Sequence, residues 1–285
     1  MCEFCTQHGE GKKWYEVMQN YSTELLADEA RLQYIRHFIP SVQRNAQANI
    51  TKLAWAKKRF PAVYRFIYNI GTRRMKQIHF GQVVPLEDAE KIIEMVQSIT
   101  RVACVCRSVT AGQKNGRFCL LLGIDPYQSG IDYADLRHSL ETITPAEAKR
   151  LLREFDRQGL VHSVWTMKTP FIGALCNCNQ ECLAYRIQVK NNLLELMFKA
   201  EYLAAIDAER CTGCRRCQRL CQFEAIVYKY GQCFVSSEKC YGCGVCRQAC
   251  NEGAIFLQPK NIIDGGFSLP APADNQVSVV KNTQK

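Results

Sequence analysis

A duplicated stretch decides the fold of the C-terminal part of this chain: CTGCRRCQRLC covers residues 211–221 and CYGCGVCRQAC covers residues 240–250. Each copy has the spacing C-x2-C-x2-C-x3-C, and the second begins 29 residues after the first. The similarity extends past the cysteines, because an acidic and a basic residue precede each copy and an Ala-Ile pair follows it. An internal repeat of this kind predicts one small unit built from two equivalent halves.

These eight cysteines have the spacing that two [4Fe–4S] clusters require. Three thiolates at C-x2-C-x2-C surround one cube, and the fourth begins the next turn and points to the other cube. The first cluster is therefore predicted to bind Cys211, Cys214, Cys217 and Cys250. The second cluster is predicted to bind Cys240, Cys243, Cys246 and Cys221. Zinc is the alternative, but zinc sites commonly use two C-x2-C pairs separated by a spacer.

Residues 205–258 resemble a bacterial two-cluster [4Fe–4S] ferredoxin domain. The resemblance implies a fold of two short hairpins and two short helices in a pseudo-twofold arrangement, and an activity of single-electron transfer. The family usually places proline after the last cysteine of each run, where this chain has Gln222 and Asn251. Proline fixes φ and lacks an N–H, so we expect its absence to change loop rigidity and hydrogen bonding around the sulfurs.

Nine cysteines lie outside the duplicated runs, and five of them form two compact groups. The groups are Cys104-x-Cys106-Arg107 and Cys176-x-Cys178-x3-Cys182. We predict a third iron–sulfur cluster held by four of these five thiols, with Cys119 as a sixth candidate. A zinc site or buried unligated cysteines are the alternatives, because free cysteine is common as a small buried hydrophobe. Core packing is the expectation for Cys233, which lies between the two runs.

The segment from Val102 through Cys182 resembles part of a poorly characterised group of larger ferredoxin-like proteins of anaerobes. In that group a C-x-C-R element and a C-N-C element precede a two-cluster ferredoxin domain. The resemblance implies the same order of elements in this chain and carries no function over to it.

A further short pattern lies at the N-terminal end, where Cys2-x2-Cys5-x2-His8 offers three ligands. Thiolate and imidazole suit zinc or an iron–sulfur cluster. The alternative is a pair of mobile reduced thiols, since chain ends usually fray.

Composition limits the class of protein. The chain has 285 residues, of which 47% are hydrophobic and 22% charged, as in a globular protein of about two domains. Its 17 cysteines are odd in number and tightly spaced, which is not the pattern of a secreted disulfide framework. The sequence has no long apolar run, no secretory leader and no glycine-rich nucleotide loop. We therefore expect a cytoplasmic protein, with peripheral contact to the inner face of the membrane as an option.

The charge of +10 is concentrated in one part of the chain. Residues 30–86 contain eleven Lys and Arg and no Asp or Glu, and the bases alternate with aromatic side chains from Trp55 to Tyr68. The basic segment 31–76 is predicted to dock an acidic redox partner protein or an anionic membrane surface. A solvated basic face is the alternative. Nucleic acid is the less favoured partner, because no reading motif accompanies the charge.

The predicted fold class is α+β in four parts. Residues 1–100 form a mainly helical, basic region, 101–204 a central mixed α/β domain, 205–258 the two-cluster ferredoxin-like domain, and 259–285 an unstructured tail. Within these parts we predict a helix over 12–39 ending before Pro40, a short strand over 102–109, a helix from Pro145 to Gln158, and a helix over 183–205.

Together these features predict an iron–sulfur electron-transfer protein or subunit that passes single electrons through two or three clusters. The first alternative is a reductase-type catalytic subunit with an open metal centre at the 104/106/176/178/182 cysteines. The second is a redox sensor that binds nucleic acid. The catalytic residues of such an enzyme are not identifiable from the sequence, and we expect an electron-transfer component of an oxidoreductase system rather than an enzyme by itself.

Overall fold

The computed structural model describes residues 13–125 and 139–260, and it mixes helices and strands as predicted. The helices are α1 Thr23–Leu26, α2 Glu29–Arg59, α3 Pro61–Ile78, α4 Leu86–Met95, α5 Val105–Ala111, α6 Pro145–Arg157 and α7 Arg216–Leu220. The strands are β1 Gly81–Val83, β2 Ile99–Val102, β3 Cys119–Leu122, β4 Glu141–Thr142, β5 Val161–Thr166, β6 Ile172–Cys178, β7 Met197–Phe198, β8 Tyr202–Ile206, β9 Ile226–Lys229, β10 Gln232–Val235 and β11 Ile255–Pro259. Short turns of 3-10 or π helix cover Trp14–Glu16, Met18–Tyr21, Tyr185–Lys190 and Val245–Ala249.

A seven-stranded sheet forms the centre of the molecule, in the order β4-β2-β3-β6-β5-β1-β7. Only β1 and β7 pair in parallel; the other neighbours are antiparallel. Helices α4 and α6 pack on it through buried Ile92, Ile93, Leu152 and Phe155. Strand β1 and the start of β2 come from the segment 1–100, so this sheet begins earlier in the chain than residue 101.

Helix α6 confirms the prediction made from its capping residues. The Thr144 side chain accepts a hydrogen bond from the Glu147 N–H, and the Glu147 carboxylate accepts one from the Thr144 N–H. The helix ends at Arg157, and Gly159 takes a φ of 80°, which glycine adopts without strain.

The predicted helix over 12–39 is wrong at both ends. Short turns and α1 occupy the segment before residue 29, whereas α2 begins at Glu29 and runs through Pro40 to Arg59. An internal proline removes one backbone hydrogen bond and costs about 3 kcal/mol. Contacts on both sides of Pro40 hold the helix together: Ile35 is buried, and Lys57 donates to the Asn191 carbonyl at 2.8 Å. None of the described helices is long and apolar enough to cross a membrane.

Two further predictions of secondary structure are wrong. The segment 102–109 is not a strand, since β2 ends at Val102 and α5 begins at Val105. The segment 183–205 is not one helix but the turn Tyr185–Lys190 followed by β7 and β8. In 183–205, the pairing of β7 with β1 and of β8 with β11 overrides the local helical pattern.

The C-terminal unit has the fold that the ferredoxin resemblance implies. Strands β9 and β10 form one antiparallel hairpin, and β8 pairs with β11 in a second antiparallel ladder. Helix α7 and the turn Val245–Ala249 lie at equivalent positions in the two halves. Strand β8 begins at Tyr202, slightly before the predicted start of this domain.

Candidate iron–sulfur centres

Four cysteines of the duplicated runs surround one cavity, which we call the first cage. They are Cys211, Cys214, Cys217 and Cys250. Three come from the first run and the fourth from the second, which is the grouping predicted from the spacing. Ile206 and Ile255 close the apolar side of the cavity.

The other four cysteines surround a separate cavity, which we call the second cage. They are Cys221, Cys240, Cys243 and Cys246. Its remaining wall includes Phe223 and Tyr241, whose rings stack with centroids 4.0 Å apart, and Val161 of strand β5. The structure thus brings both predicted sets of thiols together, and cluster ligation by these sets remains a prediction.

The loops that carry the two cages are shaped in the same way. The Ala225 N–H donates to Cys221 Sγ and the Ala254 N–H to Cys250 Sγ, each at 3.3 Å. Gly213 and Gly242 have φ of 67° and 68°, and a Cβ on either would clash with a backbone carbonyl oxygen. Peptide N–H groups aimed at sulfur stabilise its thiolate form and tune a bound cluster.

Burial controls the protonation of the cage thiols. It raises the pKa of Cys217 and of Cys243 to about 12. In contrast, the pKa of exposed Cys214 is lowered, chiefly by hydrogen bonding from the Arg216 backbone. Free thiols with raised pKa values are protonated at neutral pH, so metal binding at the cages must release protons.

Six cysteines outside the cages converge at a third place, which we call the third site. Cys176 and Cys178 share one face of β6, and Cys119 on β3 is the direct partner of Cys176 across the sheet. The Cys104 thiol is within hydrogen-bonding reach of the thiols of Cys106, Cys119 and Cys182. The structure therefore joins the two predicted groups and adds Cys119, which the sequence offered only as a sixth candidate.

The thiols of the third site are packed against one another. The pKa of Cys106 is raised, chiefly by its hydrogen bond with Cys104. The pKa of Cys178 is also raised, chiefly by its hydrogen bond with Cys182. The pKa of Cys182 rises to about 11 through Cys104. Five of the six, all except Cys104, line the wall of a large cavity.

A buried cation lies beside these thiols. Arg107 is 1% exposed, donates to the Asn179 side chain and the Asn177 carbonyl, and stacks 3.8 Å from the centre of the Phe118 ring. Within the described ranges no carboxylate forms an ion pair with it. A buried charge needs a partner, and the Arg107 guanidinium lowers the pKa of Cys178 and Cys182 as a secondary cause.

The donor set of the third site therefore fits an anionic iron–sulfur cluster: soft thiolates supply the ligands and Arg107 offsets their charge. In the part of the chain that the structure describes, no group of three or more His, Cys, Asp or Glu is arranged to hold a metal ion. A four-iron cluster does not need such a group, because each thiolate binds a different iron.

Gln222 connects the second cage to the third site. It follows Cys221, and its side-chain amide donates to the carbonyl of Cys178 at 3.3 Å and to that of Gly159 at 2.5 Å. Val161 lines the second cage and is the β-ladder partner of Cys178. Because this chain has Gln222 where the family usually has proline, a side-chain hydrogen bond joins the second cage to the third site. The sequence did not reveal this role of Gln222.

Other candidate residues have different positions. Cys233 is 3% exposed, as core packing predicts, but it also lines the first cage beside Cys217. His162 is buried, with Nδ1 2.6 Å from Asn177 Oδ1 and Nε2 3.7 Å from Asp156 Oδ1. Cys2, Cys5 and His8 lie outside the described residues, so their proposed metal site stays a prediction.

Comparison with known proteins agrees with the C-terminal geometry. Residues 210–255 match the family described as the 4Fe-4S dicluster domain. No curated protein matches the chain. The chain thus contains a ferredoxin-type domain, of the class that binds [4Fe–4S] clusters. This match suggests an electron-transfer role. It covers only the segment with the two cysteine runs.

Proposed function

We propose that this protein passes single electrons between redox partners along three [4Fe–4S] clusters, bound in order at the first cage, the second cage and the third site. The observation that carries the proposal is the shared wall of Val161, Gln222 and Cys178, which joins the second cage to the third site. Each bound cluster would accept and release one electron.

The chain's own residues position and insulate the three sites. The stacked pair Phe223 and Tyr241 covers the second cage, where Cys243 and Cys246 lie among apolar side chains. Arg107 holds positive charge against the thiols of the third site. Low water access and oriented N–H groups are the features by which a protein sets cluster potentials.

Iron and acid-labile sulfide on anaerobically purified protein test the number of clusters. We expect about twelve of each per chain, four per cube. Replacing Cys104, Cys178 and Cys182 together with alanine leaves three thiols at the third site, so the count should fall to about eight. A count near eight in the unchanged protein would contradict the third cluster, and a colourless protein without iron would contradict the whole proposal.

We further propose that the hairpin of α2 and α3 docks on an anionic membrane surface. Helix α3 presents Val63, Phe66, Ile67 and Ile70 at helical spacing, and all four are exposed, Phe66 at 68%. Trp55 at the end of α2 is 63% exposed. These helices are basic and contain no acidic residue after Glu29. Basic helices with exposed aromatic and aliphatic residues suit the boundary between lipid headgroups and acyl chains, whereas an acidic protein partner needs the charge alone.

Sedimentation with lipid vesicles tests this docking. The protein should bind vesicles containing phosphatidylglycerol and not vesicles of phosphatidylcholine alone. Replacing Phe66 and Ile70 with serine should weaken binding at least about tenfold, because burial of two large side chains contributes more than about 1.4 kcal/mol. Met18→Ser, at an exposed apolar residue outside the hairpin, is the control. Unchanged binding by the double variant would favour a purely electrostatic partner and contradict insertion.

A further inference from the structure

A large cavity lies between helix α2 and the third site. Its volume is about 570 Å³, within the range of about 300–1,000 Å³ of small-molecule sites. The cavities inside the two cages are much smaller. Thiols of the third site line one part of its wall, so a four-iron cube would fill that part and leave the rest of the cavity open.

The remaining wall is mostly apolar. On one side α2 contributes Ile35, Phe38, Ile39, Val42, Ala46 and Ile50, spaced at three and four residues along one face of the helix. On the other side the sheet contributes Leu121 and Trp165, and Met167 follows the end of β5. A charged or strongly hydrated ligand would lose its water here without a matching set of partners. The cavity therefore favours an uncharged, apolar molecule.

A few polar groups interrupt the apolar wall. His79 lies between the rings of Phe38 and Trp165, with centroids 4.5 and 5.1 Å away, and burial lowers its pKa to about 4. Neutral at pH 7, it directs Nδ1–H to the Thr166 carbonyl at 2.6 Å, which leaves Nε2 as an acceptor. Asn49 and Lys52 of α2 line the same cavity and offer N–H donors.

We propose that this cavity binds a quinone, an uncharged ring with two carbonyl oxygens that exchanges electrons with the third site. The proposal rests on the proposed function and names the class of its small-molecule partner. A quinone combines the apolar body that the wall requires with carbonyl oxygens for the amide and ammonium donors. A quinone can also accept electrons one at a time, as iron–sulfur clusters deliver them.

The quinone takes two electrons, delivered one at a time along the chain from a low-potential one-electron donor, and two protons from water. Both carbonyl oxygens become hydroxyl groups, and the product is the hydroquinone. Two reduced centres return to their oxidised state for each quinone. Protons enter along α2, where Asn45 and Asn49 line the cavity and are exposed to solvent.

Binding of duroquinone to the anaerobic holoprotein, measured by equilibrium dialysis, tests the proposal. Its ring is fully methylated, so the cysteine thiols have no free ring position to attack. We expect saturable binding at one site per chain. Ala46→Phe, which fills the cavity from α2, should weaken binding at least about tenfold, while Ala48→Phe, on the same helix and outside the cavity, should leave it unchanged.

Two further measurements separate the outcomes. Durene has the same methylated ring without carbonyl groups, so it should bind more weakly; equal binding would overturn the assignment of a quinone. Duroquinone should also reoxidise dithionite-reduced protein, more slowly in Ala46→Phe than in Ala48→Phe. No binding, or binding unaffected by Ala46→Phe, overturns this inference while the iron count leaves electron transfer intact. Missing clusters overturn the proposed function whatever the binding result.

Discussion

Replacing Cys217 with alanine is expected to remove about four irons and four sulfides per chain and to abolish one cluster signal in low-temperature electron paramagnetic resonance after dithionite reduction. Cys217 lies in the first cage with Cys211, Cys214 and Cys250. A cube that loses one of four thiolates loses its attachment at one iron. Because metal binding contributes folding free energy, the variant should also unfold at a lower temperature than the parent holoprotein.

Cys233 provides the matched control. It is buried in the same cavity wall, and its thiol lies within hydrogen-bonding reach of Cys217, but it belongs to neither cysteine run. Cys233→Ala should keep its full iron content and both ferredoxin signals. Full iron in Cys217→Ala, or loss of iron in Cys233→Ala, would show that Cys233 serves as a ligand and would contradict the predicted first cage.

The sequence predicted which thiols lie together in each cage because local spacing largely sets that grouping; cluster ligation by these thiols stays a prediction. Three thiols of each cage lie within seven residues, and the duplication supplies the fourth. The match at 210–255 supports a ferredoxin-type domain there, and the hairpin β9–β10 and the ladder of β8 with β11 are consistent with it. The capping box of α6 is likewise local, since Thr144, Pro145 and Glu147 determine its start without distant contacts.

The third site could be predicted only in part, because it depends on tertiary contacts that the spacing of cysteines in the sequence does not encode. A C-x-C pattern on β6 places Cys176 and Cys178 on one face, but only the pairing of β3 with β6 brings Cys119 to them. The role of Gln222 also depends on a distant partner, the carbonyl of Cys178. The only sequence signal for Gln222 was the missing proline.

The prediction of secondary structure was wrong where tertiary contacts outweigh the local conformational preference of the sequence. Pro40 is a strong local signal for the end of a helix, yet α2 is held on both sides of it. The segment 183–205 has a helical apolar pattern, but its second half supplies β8, which completes the ferredoxin fold by pairing with β11. Pattern alone could not show that β8, which begins at Tyr202, is the partner of β11, which begins at Ile255.

Replacing Arg107 with methionine is expected to lower the reduction potential of a cluster at the third site by about 0.1 V. Arg107 is buried beside Cys178 and Cys182 and has no carboxylate partner among the described residues. At a separation of about 6 Å and an effective dielectric constant of about 20, one unit charge contributes about 3 kcal/mol. Reduction adds negative charge, so it becomes less favourable when the cation is removed, and the potential falls.

Redox titration followed by electron paramagnetic resonance measures this shift, and the two cage potentials provide an internal reference because Arg107 lies away from both cavities. Arg117→Met is the matched control: that guanidinium is 35% exposed and pairs with Glu141 at the surface. Arg107→Lys retains the charge and should recover most of the shift, whereas a merely structural role would leave lysine as impaired as methionine. An unchanged potential in Arg107→Met with full iron content would contradict the pairing of this cation with an anionic cluster.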